Sequence, residues 1–153
     1  METKLAPKLK IGMDDFHAAT CKVAQQVIDS KVKYDFIIAP CRGGLIPGVY
    51  LSHQLTIPLI PIQWATRDYT EFNTEQFPNV SMKNVLLMED IIDSGETAAF
   101  LKFKFRFAKR CDVAAIIENV GQTKVPVEYS GITFDKREED RWVEFWWERR
   151  VFD

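Results

Sequence analysis

The hydrophobic residues of this chain fall into short continuous runs, each bounded by glycine, proline or polar residues. Apolar runs of this length are typical of strands buried on both faces of a sheet. Five segments predict strands in this way: Tyr34–Pro40, Ile57–Trp64, Asn84–Asp90, Asp112–Asn119 and Ile132–Phe134. Two prolines in Ile57–Trp64 favour a place at the edge of the sheet, because proline lacks the N–H that a central strand needs.

The segments between these strands predict helices. Asp14–Ser30 begins with two acidic residues and repeats its apolar residues at helical spacing, and Leu45–Leu55 also has a helical pattern. Thr97–Arg110 is ambiguous, because its leucine and phenylalanines alternate with charges as in a strand but would also cover one broad face of a helix. A connection between two parallel strands needs a helix, so we predict one there. The result is an α/β domain with a mainly parallel sheet flanked by helices.

Composition fits one soluble domain over residues 1–153, with 46% hydrophobic residues and a net charge of −2. No apolar run approaches the ~20 residues that span a bilayer, and the near-neutral charge argues against a nucleic-acid partner. Three scattered cysteines exclude a disulfide framework and a CxxC metal site, and they fit a cytoplasmic protein. We expect a loose lead-in over residues 1–12. The polar stretch at about 65–82 predicts a flexible active-site loop, in which Arg67 is the single cation.

Chemistry is concentrated in Val85–Thr97, with the sequence VLLMEDIIDSGET. A buried strand ends in Glu89 and Asp90, Asp93 follows, and Ser94-Gly95-Glu96-Thr97 leads into the next helix. Ligands of open α/β sheets bind beyond the carboxyl ends of the strands, and the N–H groups at a helix start suit a phosphate. Carboxylates beside such a loop suit hydroxyl groups or a metal ion. A sugar phosphate satisfies both requirements, whereas an isolated polar turn with a helix cap would not explain the two acids on a buried strand.

This segment resembles the signature of the type I phosphoribosyltransferases, in which a strand leads into two acids, two apolar residues, Asp, Ser or Thr, Gly, any residue and Thr. Ala39–Gly48 (APCRGGLIPG) is similar to the first loop of the xanthine–guanine and hypoxanthine–guanine branch, with Cys41 where that branch usually has Ser. Arg141–Glu148 (RWVEFWWE) resembles the tryptophan-containing segment near that branch's base pocket. The resemblance implies the fold of that family, with a small C-terminal aromatic hood for the base at about 130–153.

The implied reaction transfers a phosphoribosyl group from 5-phosphoribosyl-1-pyrophosphate (PRPP) to a purine base (guanine, xanthine or hypoxanthine). The products are pyrophosphate and a nucleoside 5′-monophosphate, as in nucleotide salvage. By resemblance, Glu89 and Asp90 bind the ribose hydroxyls, Asp90 helps to hold Mg²⁺, and Asp93 accepts a proton near N7 of the base. The resemblance also assigns the 5′-phosphate to Ser94, Gly95, Glu96 and Thr97, with the Glu96 side chain pointing to solvent. Arg42 and Gly43 would contact the pyrophosphate, and Arg67 would close over it.

The resemblance leaves the choice of base-binding residues open at one position. Trp142 would stack on the base, and the backbone of Val143 would contact its edge. Enzymes for 6-oxopurines usually place a lysine after the third strand, where this chain has Asn119, with Lys124 slightly later. Either Asn119 donates to the base, Lys124 reaches back, or the base is not a 6-oxopurine.

Three functional alternatives follow. The first is the purine enzyme, the second is the same fold acting on another nucleobase, and the third is a regulatory protein that binds phosphoribosyl ligands without catalysis. The complete set of Glu89, Asp90, Asp93 and Arg42 favours catalysis. The resemblance and the many aromatic residues also predict a homodimer or homotetramer.

Overall fold

The computed structural model describes residues 7–64 and 77–151. Its elements, in chain order, are β1 (Lys8–Ile11), α1 (Met13–Ser30), β2 (Phe36–Cys41), α2 (Leu45–Leu55), β3 (Leu59–Gln63), β4 (Asn84–Ile92), α3 (Glu96–Lys104), β5 (Arg110–Asn119), β6 (Tyr129–Phe134), β7 (Trp142–Phe145) and a 3₁₀ turn (Trp146–Glu148). Within these ranges, no helix is both long enough and apolar enough to cross a bilayer.

Five strands form one parallel sheet in the order β3-β2-β4-β5-β6. β4 and β5 lie at its centre, which explains their continuous apolar runs. Alternate residues of β4 face opposite sides: Leu86 and Met88 pack with α1 and α2, whereas Val85 and Leu87 pack with α3. The predicted α/β fold with helices flanking a mainly parallel sheet is confirmed, and the proline-containing strand β3 lies at the sheet edge, as expected.

The ambiguous segment is a helix. α3 buries Ala98 and Leu101 against the sheet, and Phe105 remains buried just beyond its last turn. Phe103 and Phe107, which the alternating pattern placed with the apolar residues, are 61% and 70% exposed. The side chain of Arg106 lies over both rings at 4.6 and 4.5 Å. The helix therefore uses only part of the apolar face that the sequence offers.

A second sheet joins the two ends of the chain, and it corrects two predictions. β1 pairs in parallel with β7, and the Lys8 ammonium lies 3.0 Å from the Glu144 carboxylate across the pair. Residues 8–11 are thus a strand rather than part of a loose lead-in, because β7 supplies the partner that their own sequence cannot reveal. The C-terminal hood, predicted from about residue 130, also begins later, since β6 belongs to the main sheet.

The predicted loop at about 65–82 is described only from residue 77. Arg67 lies outside the described residues. Val80 is buried, Phe77 packs edge-on against Phe105 with ring centroids 5.8 Å apart, and Ser81 pairs with Ala108. Phe77 and Val80 are therefore packed in the cluster that contains α3, which the prediction of a flexible loop up to about residue 82 did not include.

Candidate active site

A cleft of about 870 Å³ opens at the carboxyl edge of the central sheet, where ligands of parallel α/β folds bind. Its walls come from the turn after β2, the end of β4, the start of α3 and the C-terminal segment. The lining residues are Pro40, Cys41, Arg42, Gly43, Leu45, Ile46, Trp64, Glu89, Asp90, Thr97, Trp147, Glu148 and Arg150. The structure thus brings residues from three distant sequence motifs to one place.

Glu89 and Asp90 stand side by side near the end of β4. Glu89 is 7% exposed, and its Oε1 atom has no hydrogen-bond partner among the described residues. Burial raises the pKa of Glu89 well above its ordinary value, and the neighbouring Asp90 carboxylate raises it further. Burial also raises the pKa of Asp90 to about 6, against the opposing effect of the Ile91 N–H, which donates to Asp90 Oδ1 over 2.8 Å. Two carboxylates whose charged forms are disfavoured by burial in this way suit a ligand that brings hydroxyl groups or a cation.

The turn after β2 approaches these carboxylates closely. The Cys41–Arg42 peptide is cis, and Arg42 and Gly43 both line the cleft. A Cβ atom at Gly43 would lie 2.5 Å from both carboxylate oxygens of Asp90, and one at Gly44 would collide with the Met88 carbonyl. Glycine is therefore required at position 44, where the neighbour is backbone, whereas a side chain at position 43 would displace the Asp90 carboxylate.

The loop Ser94–Thr97 leads from β4 into α3. Gly95 has φ = +79°, a conformation that favours glycine, and α3 begins at the next residue. The first N–H groups of a helix have no intrahelical acceptor, so this loop directs donors outward. The Ser94 hydroxyl accepts from the Glu96 N–H over 3.4 Å, and the Glu96 side chain is 73% exposed, pointing to solvent as the sequence predicts.

Asp93 is held by Asn119, the last residue of β5, and by Lys136, which lies just after β6. Asn119 Nδ2 donates to Asp93 Oδ1 over 2.7 Å, and the ammonium of Lys136 lies 3.4 Å from Asp93 Oδ2. Asn119 is fully buried, and its Oδ1 accepts from the N–H groups of Gly121 and Lys136. Its amide is therefore directed at Asp93 and at the backbone, and its contact with a base stays a prediction.

Lys124, the alternative predicted base contact, lies beside the loop Ser94–Thr97. Its N–H donates to the Ser94 carbonyl over 3.0 Å, and its ammonium lies 3.8 Å from the Glu96 carboxylate. These contacts place Lys124 against the loop that precedes α3. The lysine beside Asp93 is Lys136, which the sequence prediction missed.

The tryptophan that lines the cleft is not the one that the sequence predicted for the base. Trp142 is 57% exposed and is not among the lining residues, and Val143 is buried in the core. Trp147 lines the cleft instead, stacked on Phe145 with ring centroids 4.3 Å apart and edge-on to Phe16. Glu148 lies in the same wall, and its charge contributes to the raised pKa of Asp90.

Comparisons with known proteins agree with this architecture. The chain is 28% identical to a xanthine-guanine phosphoribosyltransferase of Idiomarina loihiensis over 151 residues, covering 92% of this chain and 87% of that protein. The crystal structure of a purine phosphoribosyltransferase from Pyrococcus horikoshii superposes with a TM-score of 0.78 at 26% identity, covering 94% of this chain and 95% of that one. The chain has the fold of the type I phosphoribosyltransferases and is similar to them in sequence over nearly its whole length.

Two other comparisons gave less. No protein-family model matches the sequence, and one further relative matches only part of the chain. An orotate phosphoribosyltransferase of Mesorhizobium japonicum is 32% identical over 77 residues, which is 49% of this chain and 38% of that protein. Similarity to the orotate phosphoribosyltransferase is thus local, whereas similarity to the xanthine-guanine and purine phosphoribosyltransferases extends over nearly the whole chain.

A sequence signal existed for some of the missed residues. Lys136 follows the predicted strand Ile132–Phe134 by two residues, and the rule that carboxyl ends of parallel strands carry ligands, which singled out Asp93, applies to it equally. Glu148 ends the aromatic segment that was assigned to the base pocket. Its proximity to Asp90 depends on how β7 is placed by β1, and no local pattern carries that information.

Removing the buried charge of Glu89 should stabilise the ligand-free protein. Because the folded-state pKa is raised, folding favours the protonated form, and wild-type stability falls as the pH rises above the unfolded-state value. We expect Glu89→Gln to increase the free energy of unfolding at pH 8 by about 1–3 kcal/mol, with little difference near pH 4.5. Urea unfolding at the two pH values, without divalent cations, measures this effect.

Glu118→Gln is the matched control, since Glu118 lies on the adjacent strand β5 but is partly exposed. It should change the stability little at either pH. An equal gain from Glu89→Gln at both pH values would show that charge burial is not the cause.

Proposed function

We propose that this protein is a Mg²⁺-dependent purine phosphoribosyltransferase, which joins PRPP to guanine, xanthine or hypoxanthine and releases pyrophosphate in nucleotide salvage. The observation that carries the proposal is the arrangement around one strand end. Two buried carboxylates at the end of β4 lie in the same cleft as the turn after β2 and the start of α3. The full-length similarity to phosphoribosyltransferases named for purines supports the choice of base class.

The donor has three parts that match three parts of the cleft. Glu89 and Asp90 would accept hydrogen bonds from the ribose hydroxyls, which would complete the unpartnered Oε1 of Glu89. The N–H groups and hydroxyls of the loop Ser94–Thr97 would bind the 5′-phosphate. The positive charge of Arg42 would attract the pyrophosphate. Gly43 has no side chain, so its backbone N–H would be able to donate to the same group.

The donor set also fits Mg²⁺. Among the described residues, no group of three or more His, Cys, Asp or Glu side chains forms a metal cage. Mg²⁺ bound by one or two carboxylates, with water and substrate oxygens completing the shell, needs no such cage. Asp90 is the residue that would hold it, and the ion would neutralise charge on the pyrophosphate.

In the reaction, the bond between C1 of the ribose and the pyrophosphate oxygen breaks, and a bond from C1 to N9 of the base forms. The base gives up one proton, which Asp93 accepts from N7. Asn119 fixes the carboxylate of Asp93 for this purpose through its 2.7 Å hydrogen bond. The protein itself supplies orientation, charge and one proton acceptor, and no covalent intermediate is needed.

The proposal is tested by incubating the protein with PRPP, Mg²⁺ and one base at a time, with chromatographic detection of nucleotide. We expect products from guanine, xanthine and hypoxanthine and none from adenine, orotate or uracil. Product from orotate alone would contradict the base class. Absence of product from every base, with PRPP binding retained, would contradict catalysis and favour a regulatory protein.

Asp93→Asn should lower kcat by about 10²–10⁴-fold, because an amide cannot accept the proton. The KM for PRPP should change much less, since Asp93 faces the base. Steady-state kinetics with both substrates varied separate the two effects. Asp29→Asn, an exposed change on α1, is the control, and a wild-type kcat for Asp93→Asn would refute the proton-accepting role.

Gly43→Ala should weaken PRPP binding by about tenfold or more, because the added methyl would displace the Asp90 carboxylate. Gly12→Ala is the matched control, since a Cβ there has no heavy atom within 4 Å. Isothermal titration calorimetry with PRPP and Mg²⁺ compares the two variants. Equal affinities would mean that Gly43 and Asp90 do not jointly shape the donor site.

A further inference from the structure

The end of α3 carries exposed aromatic and basic side chains that the proposed reaction does not use. α3 starts at the carboxyl edge of the central sheet, and β5 begins at the amino edge, so the connection between them lies on the side of the sheet opposite the cleft. Phe103 and Phe107 are exposed there. Two accessible phenylalanine rings, four residues apart, are thus available to a second molecule far from the proposed active site.

A guanidinium lies against both rings. Arg106 is centred 4.6 Å from the ring centroid of Phe103 and 4.5 Å from that of Phe107. It also donates to the Phe103 carbonyl over 3.1 Å, which fixes its position. The remaining surface of each ring is open to solvent, so stacking faces and a held positive charge are presented together.

Backbone contacts bring a second segment to the same place. Ser81 pairs with Ala108 in an isolated antiparallel bridge, and the Lys109 N–H donates to the Lys83 carbonyl over 2.9 Å. The two segments therefore contribute to one continuous surface. We call it the aromatic-basic surface, and its residues are Lys83, Phe103, Lys104, Arg106, Phe107 and Lys109.

The charge of this surface is positive, although the whole chain carries a net charge of −2. Its four cations are exposed, and none of them forms an ion pair with a carboxylate in residues 7–64 and 77–151. Two acids of the neighbouring strand and loop are already paired, Asp112 with Arg110 and Glu128 with Lys102. The surface therefore favours an anionic partner, and two copies of the chain joined through it would bring like charges together.

A groove of about 360 Å³ adjoins Phe107 and has the lining of a site for a planar ring. Its apolar walls include three phenylalanines, and three polar side chains contribute to the rest: Phe77, Phe105, Phe107, Asn79, Ser81 and Lys104. Aromatic walls suit the faces of a nucleobase, and the polar groups suit its edge. A bilayer surface is flat and does not fill a groove, and an acidic peptide supplies charge but few planar groups.

We propose that the aromatic-basic surface binds single-stranded nucleic acid, with an unpaired base in the groove against Phe107 and the surrounding cations on the phosphates. Sites for single strands combine these two elements, because every base has a face that stacks on an aromatic ring and every phosphate attracts a cation. The bases of a duplex are already stacked and paired, so a duplex would contact the cations alone.

The test measures binding of a labelled single strand of about 12 nucleotides by fluorescence anisotropy, with inorganic polyphosphate as a ligand that has the charge but no bases. We expect Phe107→Ala to weaken binding of the strand by about tenfold to a hundredfold, the range for the loss of one stacked base. Binding of polyphosphate, measured by calorimetry, should not change in this variant.

The cations are tested by Lys83→Gln combined with Lys109→Gln. This double variant should weaken binding of both ligands. It should also lower the slope of log affinity against log salt for the strand by about 0.7 for each cation removed.

Two matched controls lie on other elements. Ile28→Ala removes an apolar side chain of α1 that is also exposed, and Lys10→Gln removes an exposed lysine of β1. Neither should change the affinity for the strand. Saturation of the protein with PRPP and Mg²⁺ should not displace the strand, because the cleft lies at the other edge of the sheet.

Three results would overturn the proposal. The first is absence of strand binding by wild type, or unchanged strand affinity in both Phe107→Ala and the double lysine variant. The second is an equal loss of strand and polyphosphate affinity in Phe107→Ala, or equal wild-type affinity for the strand and its duplex, since bases would then play no part. The third is binding to phosphatidylglycerol vesicles that depends on Phe107, without binding of the strand. Nucleotide formation from PRPP is measured separately, so the proposed function stands or fails independently.

Discussion

The site depends on the close approach between the turn after β2 and the carboxyl end of β4. The Asp90 carboxylate lies where a side chain at position 43 would be, and the Met88 carbonyl lies where one at position 44 would be. At the same strand end, burial raises the pKa of both Glu89 and Asp90. Because the two carboxylates receive little compensation from the described residues, the folded protein carries an electrostatic penalty at neutral pH. A ligand with hydroxyl groups and a cation relieves this penalty, so binding energy and fold stability are linked at one point.

The sequence predicted the central sheet well because its strands are buried on both faces. A continuous apolar run such as that of β4 can be recognised as a strand without knowing which strands pair with it. α3 shows where local pattern is insufficient, since the alternation in residues 101–107 is that of a strand. The helix forms because β4 and β5 are parallel neighbours and the chain must cross over between them. The motif at the end of β4 could also be predicted from the sequence, because its acids, its glycine and the start of the helix follow one another directly.

The parts that were missed depend on contacts between distant residues. β1 is a strand only because β7, more than a hundred residues later, pairs with it. Lys136 reaches Asp93 across 43 positions, and Asn119 joins the two from a third strand. Trp142 and Trp147 lie five residues apart in one aromatic segment, and only the path of β7 decides which of them lines the cleft. Sequence reasoning identified the segments that meet at the cleft but not which of their residues line it.

The pairing of β1 with β7 ties the beginning of the chain to the wall of the cleft. β7 continues directly into the turn that carries Trp147 and Glu148, and a lone strand of four residues has little stability without a neighbour. Residues 8–11 therefore stabilise a wall of the cleft that is formed by residues more than 130 positions later in the sequence. Attaching an affinity tag at residues 8–11, or deleting them, would therefore loosen the wall formed by Trp147 and Glu148 without altering any residue of that wall.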